Sequence, residues 1–284
     1  MAGADHHPLR ASWPRGSELA LRIGSALVLV PLAVGAAYIG GWLFAVFWGV
    51  AAMGVLWEWT SLVARTDQRS VLGAGGAALA LALALAVTEH LLAAVIVLAM
   101  GAMGAAALAH AERRIWVAGG VPYAGALALA PVVLRSDSED GFLAVLFLFA
   151  IVWTTDIGAY FVGRAIGGPK LVPQVSPNKT WAGALAGMGA AVIVGVAVAK
   201  AAALTNLFAI AMLAIVLSIS AQGGDLFESV LKRRFGAKDS SRLIPGHGGL
   251  MDRLDGFVTA SIVAVLIGLA RGGFEAPGRG LLVW

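Results

Sequence analysis

The chain has no cysteine, which excludes a disulfide framework, a thiolate metal site and a cysteine nucleophile. It is also poor in charge: 13% of its 284 residues are Asp, Glu, Lys or Arg, where a soluble globular domain carries about 25%. Such a chain cannot cover a single buried core with a wet surface. No internal repeat of the kind that marks many transporters is visible. Apolar residues are what it has instead, 60% of the chain, with a mean hydropathy of +0.87. The solvent for most of this chain is lipid.

Nine apolar runs are long enough to cross about 30 Å of hydrocarbon: 20–39, 42–58, 71–88, 91–109, 115–134, 142–162, 181–199, 205–222 and 256–271. The expected fold is an all-α integral membrane protein of about nine transmembrane helices. Its parts are a cytoplasmic tail over 1–18, N-terminal transmembrane helices over 19–140, and a C-terminal catalytic region over 141–284. The first run reads as a retained anchor rather than a cleaved signal peptide, because the segments after it also span. With the N-terminus inside, 16 of the Lys and Arg residues fall on cytoplasmic segments and 4 (Arg135, Lys200, Arg271, Arg279) on the other side. That partition obeys the positive-inside rule and puts the polar site at the cytoplasmic ends of the C-terminal helices. The Trp residues fit interfacial anchors, and Glu58, between Trp57 and Trp59, reads as structural.

Two cytoplasmic segments, Gly163–Thr180 and Gln222–Asp255, are unlike plain connections. Gln222–Asp255 carries 11 charged residues in 34. Asp225, Glu228, Ser229 and Lys232 are spaced i, i+3, i+4, i+7, one face of a helix continuing the eighth run. A loop follows, Pro245-Gly246-His247-Gly248-Gly249, whose glycines let a backbone approach an anion. Asp252 and Asp255 come next, spaced i, i+3 at the start of the ninth span, and suit both a helix N-terminus and a hard cation such as Mg²⁺. Carboxylates, clustered cations and a glycine loop together fit phosphoryl or nucleotidyl transfer.

In the other segment, Asp156 lies inside the sixth run, where insertion costs about 2.5–3.5 kcal/mol and makes it a functional candidate. Tyr160 is one turn on. Ser176-Pro177-Asn178-Lys179-Thr180 reads as the opening of the seventh helix, a place to bind an anion. Each residue also has a plainer reading. Ser176 and Asp255 could be helix caps, Asp156 could pair with Arg164, and His247 could be an ordinary loop residue. Lys232-Arg233-Arg234 could be no more than a topology signal.

The run Ser229-x2-Lys232-Arg233-x4-Lys238-Asp239-x-Ser241-x2-Ile244-Pro245-x-His247-Gly248-Gly249-x2-Asp252-Arg253-x-Asp255 resembles the signature of the phosphatidate cytidylyltransferases. Gly224-Asp225-x2-Glu228-Ser229, Asp156-x3-Tyr160 and the Ser176–Thr180 element resemble that family too. Ala182 departs from it, standing where the family usually shows an acidic residue. The resemblance implies transfer of CMP from CTP to phosphatidate with Mg²⁺ and a second, monovalent cation such as K⁺. It also implies a homodimer of nine-span subunits with a metal site that opens to the cytoplasm. Membrane lipids are expected partners and nucleic acid is not, and the expected location is a bacterial plasma (inner) membrane. For the metal it points to Asp225 and Asp252, and Asp255 is a third metal candidate from its place beside them. Catalytic candidates are Lys232, Lys238, Asp239, His247 and Arg253. Candidates for binding substrate are Asp156, Tyr160, Ser176, Asn178, Lys179, Thr180, Ser229, Arg233, Gly248 and Gly249. A CTP-dependent kinase of a lipid alcohol, with Asp239 or His247 as base, is the nearest other enzyme; a transporter is the alternative of a different class. A D-x2-D-G-x2-A-R pattern is absent, which disfavours an enzyme that consumes CDP-lipids.

Overall fold

The computed structural model describes residues 15–64, 67–241, 243 and 248–284. Most of the expected tail and His247 fall outside them. Ten helices follow in order: α1 (Arg15–Ile39), α2 (Gly41–Val63), α3 (Gln68–Val87), α4 (Leu91–Leu108), α5 (Arg114–Arg135), α6 (Gly141–Ile166), α7 (Trp181–Ala201), α8 (Leu207–Arg234), α9 (Met251–Gly272) and the short α10 (Pro277–Leu282). Among the described residues, α2 to α9 are the eight helices long and apolar enough to cross a membrane, and α1 contributes an apolar stretch over Leu27–Ile39.

α5 is the buried axis of the bundle. Its inward residues, from Val117 to Leu134, meet α2, α3, α4 and α9. α7 and α8 pack outside α6 and α9. Two aromatic clusters hold the N-terminal helices to the C-terminal ones. Trp48 of α2 stacks on Phe257 of α9 at 4.7 Å. Nearer the site, Trp59 of α2 lies against Tyr123 of α5 and Phe227 of α8 and donates from Nε1 to the Trp116 carbonyl at 2.8 Å. Trp48 and Trp59 are buried, so these two are core residues and not interfacial anchors. Their bulk fills the gap between the two halves, which the many small residues of the neighbouring helices leave open.

Two boundaries place site residues as the sequence leads one to expect, and a third differs. α8 runs unbroken to Arg234, carrying Asp225 to Lys232 on the helix itself. α9 begins at Met251, so Asp252 and Asp255 lie in its first turns, at the start of the ninth span as expected. Ser176–Thr180 is not helical: it is strand β2, paired antiparallel with β1 (Lys170–Val172) in the register Lys170↔Thr180 and Val172↔Ser176. Ser-Pro suits a helix start and an extended strand equally well; pairing with β1 decides between them. The cap falls to Thr180, whose Oγ1 accepts from Gly183 N at 3.2 Å.

Candidate active site

Close helix approach brings the site elements together. α8 and α9 touch at Gly224 and Gly256. A Cβ on Gly256 would sit 3.0 Å from the Ala221 carbonyl, and one on Gly224 would strike Thr259 and the Asp255 carbonyl. Small residues at such a crossing let helix backbones meet, here placing Asp225 and Glu228 beside Asp252 and Asp255. α6 and α7 meet in the same way, and a Cβ on Gly183 would lie 2.7 Å from the Ala159 carbonyl. Buried hydroxyls fix the layers: Thr155 Oγ1 donates to Ser218 Oγ at 2.9 Å, and Gln222 Nε2 donates to the Ala184 carbonyl at 3.3 Å.

Between these elements lies a cleft of about 1060 Å³. Its walls carry the carboxylates Asp156, Asp225, Glu228, Asp239, Asp252 and Asp255, and the cations Arg164, Lys170, Lys179, Lys232 and Arg253. Tyr160, Asn178 and Thr180 line it as well, as do Ile157 and Phe161, apolar side chains of α6 that are themselves exposed. One wall of the cleft is therefore continuous with an exposed apolar face of α6.

Two lysines organise the floor. Lys179 of β2 pairs with Asp225. Lys232 donates to Glu228 Oε2 at 2.7 Å and to Asp252 Oδ1. Asp252 is heavily held as well, for its Oδ2 accepts from Ser240 N at 3.0 Å, Ser240 Oγ at 2.9 Å and Gly249 N at 2.9 Å. Gly249 has no room for a side chain, since its Cβ would lie 2.9 Å from both Asp252 Oδ2 and Glu58 Oε1. Gly248, at φ +85, takes the left-handed backbone that glycine tolerates. Asp156 and Asp255 lie within electrostatic reach of Asp225. Arg164 turns to Tyr160 Oη at 3.3 Å and not to Asp156.

The remaining candidates sit elsewhere. Ser176, Ser229, Arg233, Lys238, Gly248 and Gly249 are not among the residues lining the cleft, and Arg233 and Lys238 are exposed. Asp255 is not the cap of α9, lying four residues beyond its start. Ala182 lies in the first turn of α7, which holds no acidic residue.

Among the described residues, no three His, Cys, Asp or Glu side chains converge to hold an ion by themselves. Mg²⁺ does not require that, because it is commonly held by one or two carboxylates plus substrate phosphates. Glu228 Oε1 is buried with no hydrogen-bond partner, and Lys179 and Lys232 face more carboxylates than they can neutralise. An acceptor left open in a negatively charged floor fits a cation.

One residue outside the C-terminal half belongs to the site. Glu58 of α2 is fully buried and accepts four hydrogen bonds from the signature segment. The available signal was an ionisable residue inside an apolar run, the same one that singled out Asp156.

A family model described as the cytidylyltransferase family matches residues 20–270. A protein of Brucella suis biovar 1 (strain 1330), named phosphatidate cytidylyltransferase, is 43% identical over 255 residues, covering 89% of this chain and 94% of its own. Its namesake in Brucella melitensis biotype 1 matches to the same extent. A namesake in Staphylococcus haemolyticus (strain JCSC1435) is 45% identical over 121 residues, 42% of this chain and 46% of its own.

Proposed function

The chain belongs to the cytidylyltransferase family, and we propose that it acts as a phosphatidate cytidylyltransferase, making CDP-diacylglycerol and pyrophosphate from CTP and phosphatidate. It is an integral membrane enzyme. The observation that carries the substrate pair is the double character of the cleft: a charged floor for a triphosphate, and a wall with exposed Ile157 and Phe161 for an acyl chain arriving from the bilayer.

The chemistry asks little covalent help from the protein. A phosphate monoester has a second pKa near about 6, so the phosphatidate oxygen is already a nucleophile at neutral pH. It attacks the α-phosphorus of CTP, the α–β anhydride bond breaks, and pyrophosphate leaves. Bringing two anions together is the obstacle, and positioning with charge neutralisation answers it. Lys179, Lys232 and Arg253 are placed along the cleft to meet phosphate oxygens. Asp225 and Asp252 would hold Mg²⁺, which supplies further neutralisation of the triphosphate when bound. The homodimer and a monovalent cation beside the Mg²⁺ rest on the family resemblance alone. The positive-inside partition further supports α1 as a ninth span, the N-terminus and the cleft facing the cytoplasm, and residence in a bacterial inner membrane.

The test is transfer by purified protein in detergent with base-labelled CTP, phosphatidate and Mg²⁺. Label should enter the organic phase only when phosphatidate is supplied. Label that stays aqueous with both substrates present would overturn the proposal.

A further inference from the structure

The signature segment leaves α8 and returns at α9, and its two stems converge on one side chain from the other half of the molecule. Glu58 Oε2 accepts from Ser240 Oγ at 3.0 Å and Met251 N at 2.6 Å. Its Oε1 accepts from Ser241 Oγ at 2.5 Å and Leu250 N at 2.8 Å. Each oxygen thus takes one hydroxyl and one backbone amide, and each stem supplies one partner to each oxygen. All four partners are donors, so the set matches an ionised carboxylate, which only accepts.

These bonds do two physical jobs. The amides of Leu250 and Met251 stand at the N-terminus of α9, where a helix leaves N–H groups without intrahelical acceptors, and the residue preceding α9, Leu250, has no capping side chain. Glu58 caps α9 from a different helix, with a negative charge at the favourable end of the dipole. The second job concerns Asp252. Ser240 Oγ lies 3.0 Å from Glu58 and 2.9 Å from Asp252, and its single proton serves one carboxylate at a time. Ser240 is therefore a direct link between the two. The other holder of Asp252 Oδ2, Gly249 N, directly precedes the Leu250 amide that Glu58 holds.

We propose that Glu58 is a positioning residue for cytidylyl transfer: it clamps both stems of the signature loop and so fixes Asp252 and the Lys232 bonded to it. The inference rests on the proposed function for its catalytic consequence, while the clamp itself stands on geometry alone. Glu58 lies outside the cleft wall and meets no substrate, so its effect passes through Ser240 and the α9 amides.

The experiment pairs kinetics with hydrogen–deuterium exchange on Glu58→Gln, Glu58→Asp and Ser241→Ala in detergent. Glutamine keeps the shape but offers one acceptor oxygen and places an NH₂ against donors. For Glu58→Gln, kcat should fall roughly 10- to 100-fold, the scale seen when a partner that orients a working ligand is lost. Exchange should rise in peptides covering 240–251 and stay at parent level in α5 and α6. Glu58→Asp, which keeps the charge with a shorter reach, should recover part of both. Ser241→Ala, which removes one bond of the four, should show the same pattern in weaker form and carries the test if Glu58→Gln does not fold. Parent-like exchange over 240–251 in a folded Glu58→Gln, or in Ser241→Ala if that variant alone folds, would overturn the clamp. Raised exchange with unchanged kcat would overturn the positioning role. A parent protein that makes no CDP-lipid would instead refute the proposed function, leaving the exchange result to judge the clamp.

Discussion

Lys232 carries more of the site than any other cation. Its ammonium bonds both Glu228 and Asp252, so Lys232→Ala leaves two largely buried carboxylates facing each other. Removing one partner of a buried ion pair costs about 3–5 kcal/mol. The variant should lose kcat by roughly 100-fold or more, the scale of a lost transition-state donor, and melt earlier in detergent. Arg234, two residues on, turns away and lies with its guanidinium 5.0 Å over the Trp116 ring. Arg234→Ala should leave kcat within about threefold, since an exposed cation–π contact contributes only about 0.5–1 kcal/mol. Steady-state kinetics at matched membrane levels separate the two, and a reversal of their order would mean the helical face assigned to α8 is wrong. The carboxylates give a second contrast. Asp225→Asn and Asp252→Asn should each abolish turnover while the protein still inserts, because an amide keeps the shape but removes the charge a divalent ion needs. Activity within a few-fold of the parent at limiting Mg²⁺ would contradict the metal assignment.

At the scale of elements, the site depends on how closely α8 and α9 approach. Gly224→Val would push a branched side chain into Thr259 and the Asp255 carbonyl. Overpacking of that kind costs about 1–3 kcal/mol, so the melting temperature should drop and activity fall with it, although no charged residue has been touched. A parent-like melting curve would show that the two helices do not meet there. The same scale explains what was legible beforehand. Apolar length marked the spans, and the spacing of Asp225, Glu228 and Lys232 placed three cleft residues on one face of α8, because helical period and burial are local properties. The strand at Ser176–Thr180 is not legible locally, because Ser-Pro is compatible with two backbones and the partner strand β1 decides. Glu58 was seen as structural but not as part of the site. Its partners lie 182 to 193 residues away, and no local pattern reports a contact of that range.

The whole molecule is a bundle whose two ends differ. One end holds the cleft. The other closes on a different set of contacts, where the buried Asp137 accepts from the amides of Glu139, Asp140 and Arg279, while Arg271 bonds carbonyls of Gly280 and Val283 and covers the Trp284 ring. If nine spans cross with the N-terminus inside, Ser138 and Lys238 lie on opposite sides of the membrane. Both are exposed, and the chain has no native cysteine to confuse labelling. Single cysteines at these positions should react with an impermeant maleimide from opposite faces of oriented vesicles; reaction from the same face would break the proposed topology.

The central claim is that the bond broken is the α–β anhydride of CTP. Parallel reactions with CTP labelled at the α-phosphorus and at the γ-phosphorus, in the presence of phosphatidate and Mg²⁺, test it most directly. Cytidylyl transfer predicts α-label in the lipid and γ-label in pyrophosphate. Label from the γ-position in the lipid, with CDP in the water phase, would make the protein a kinase and contradict the assignment.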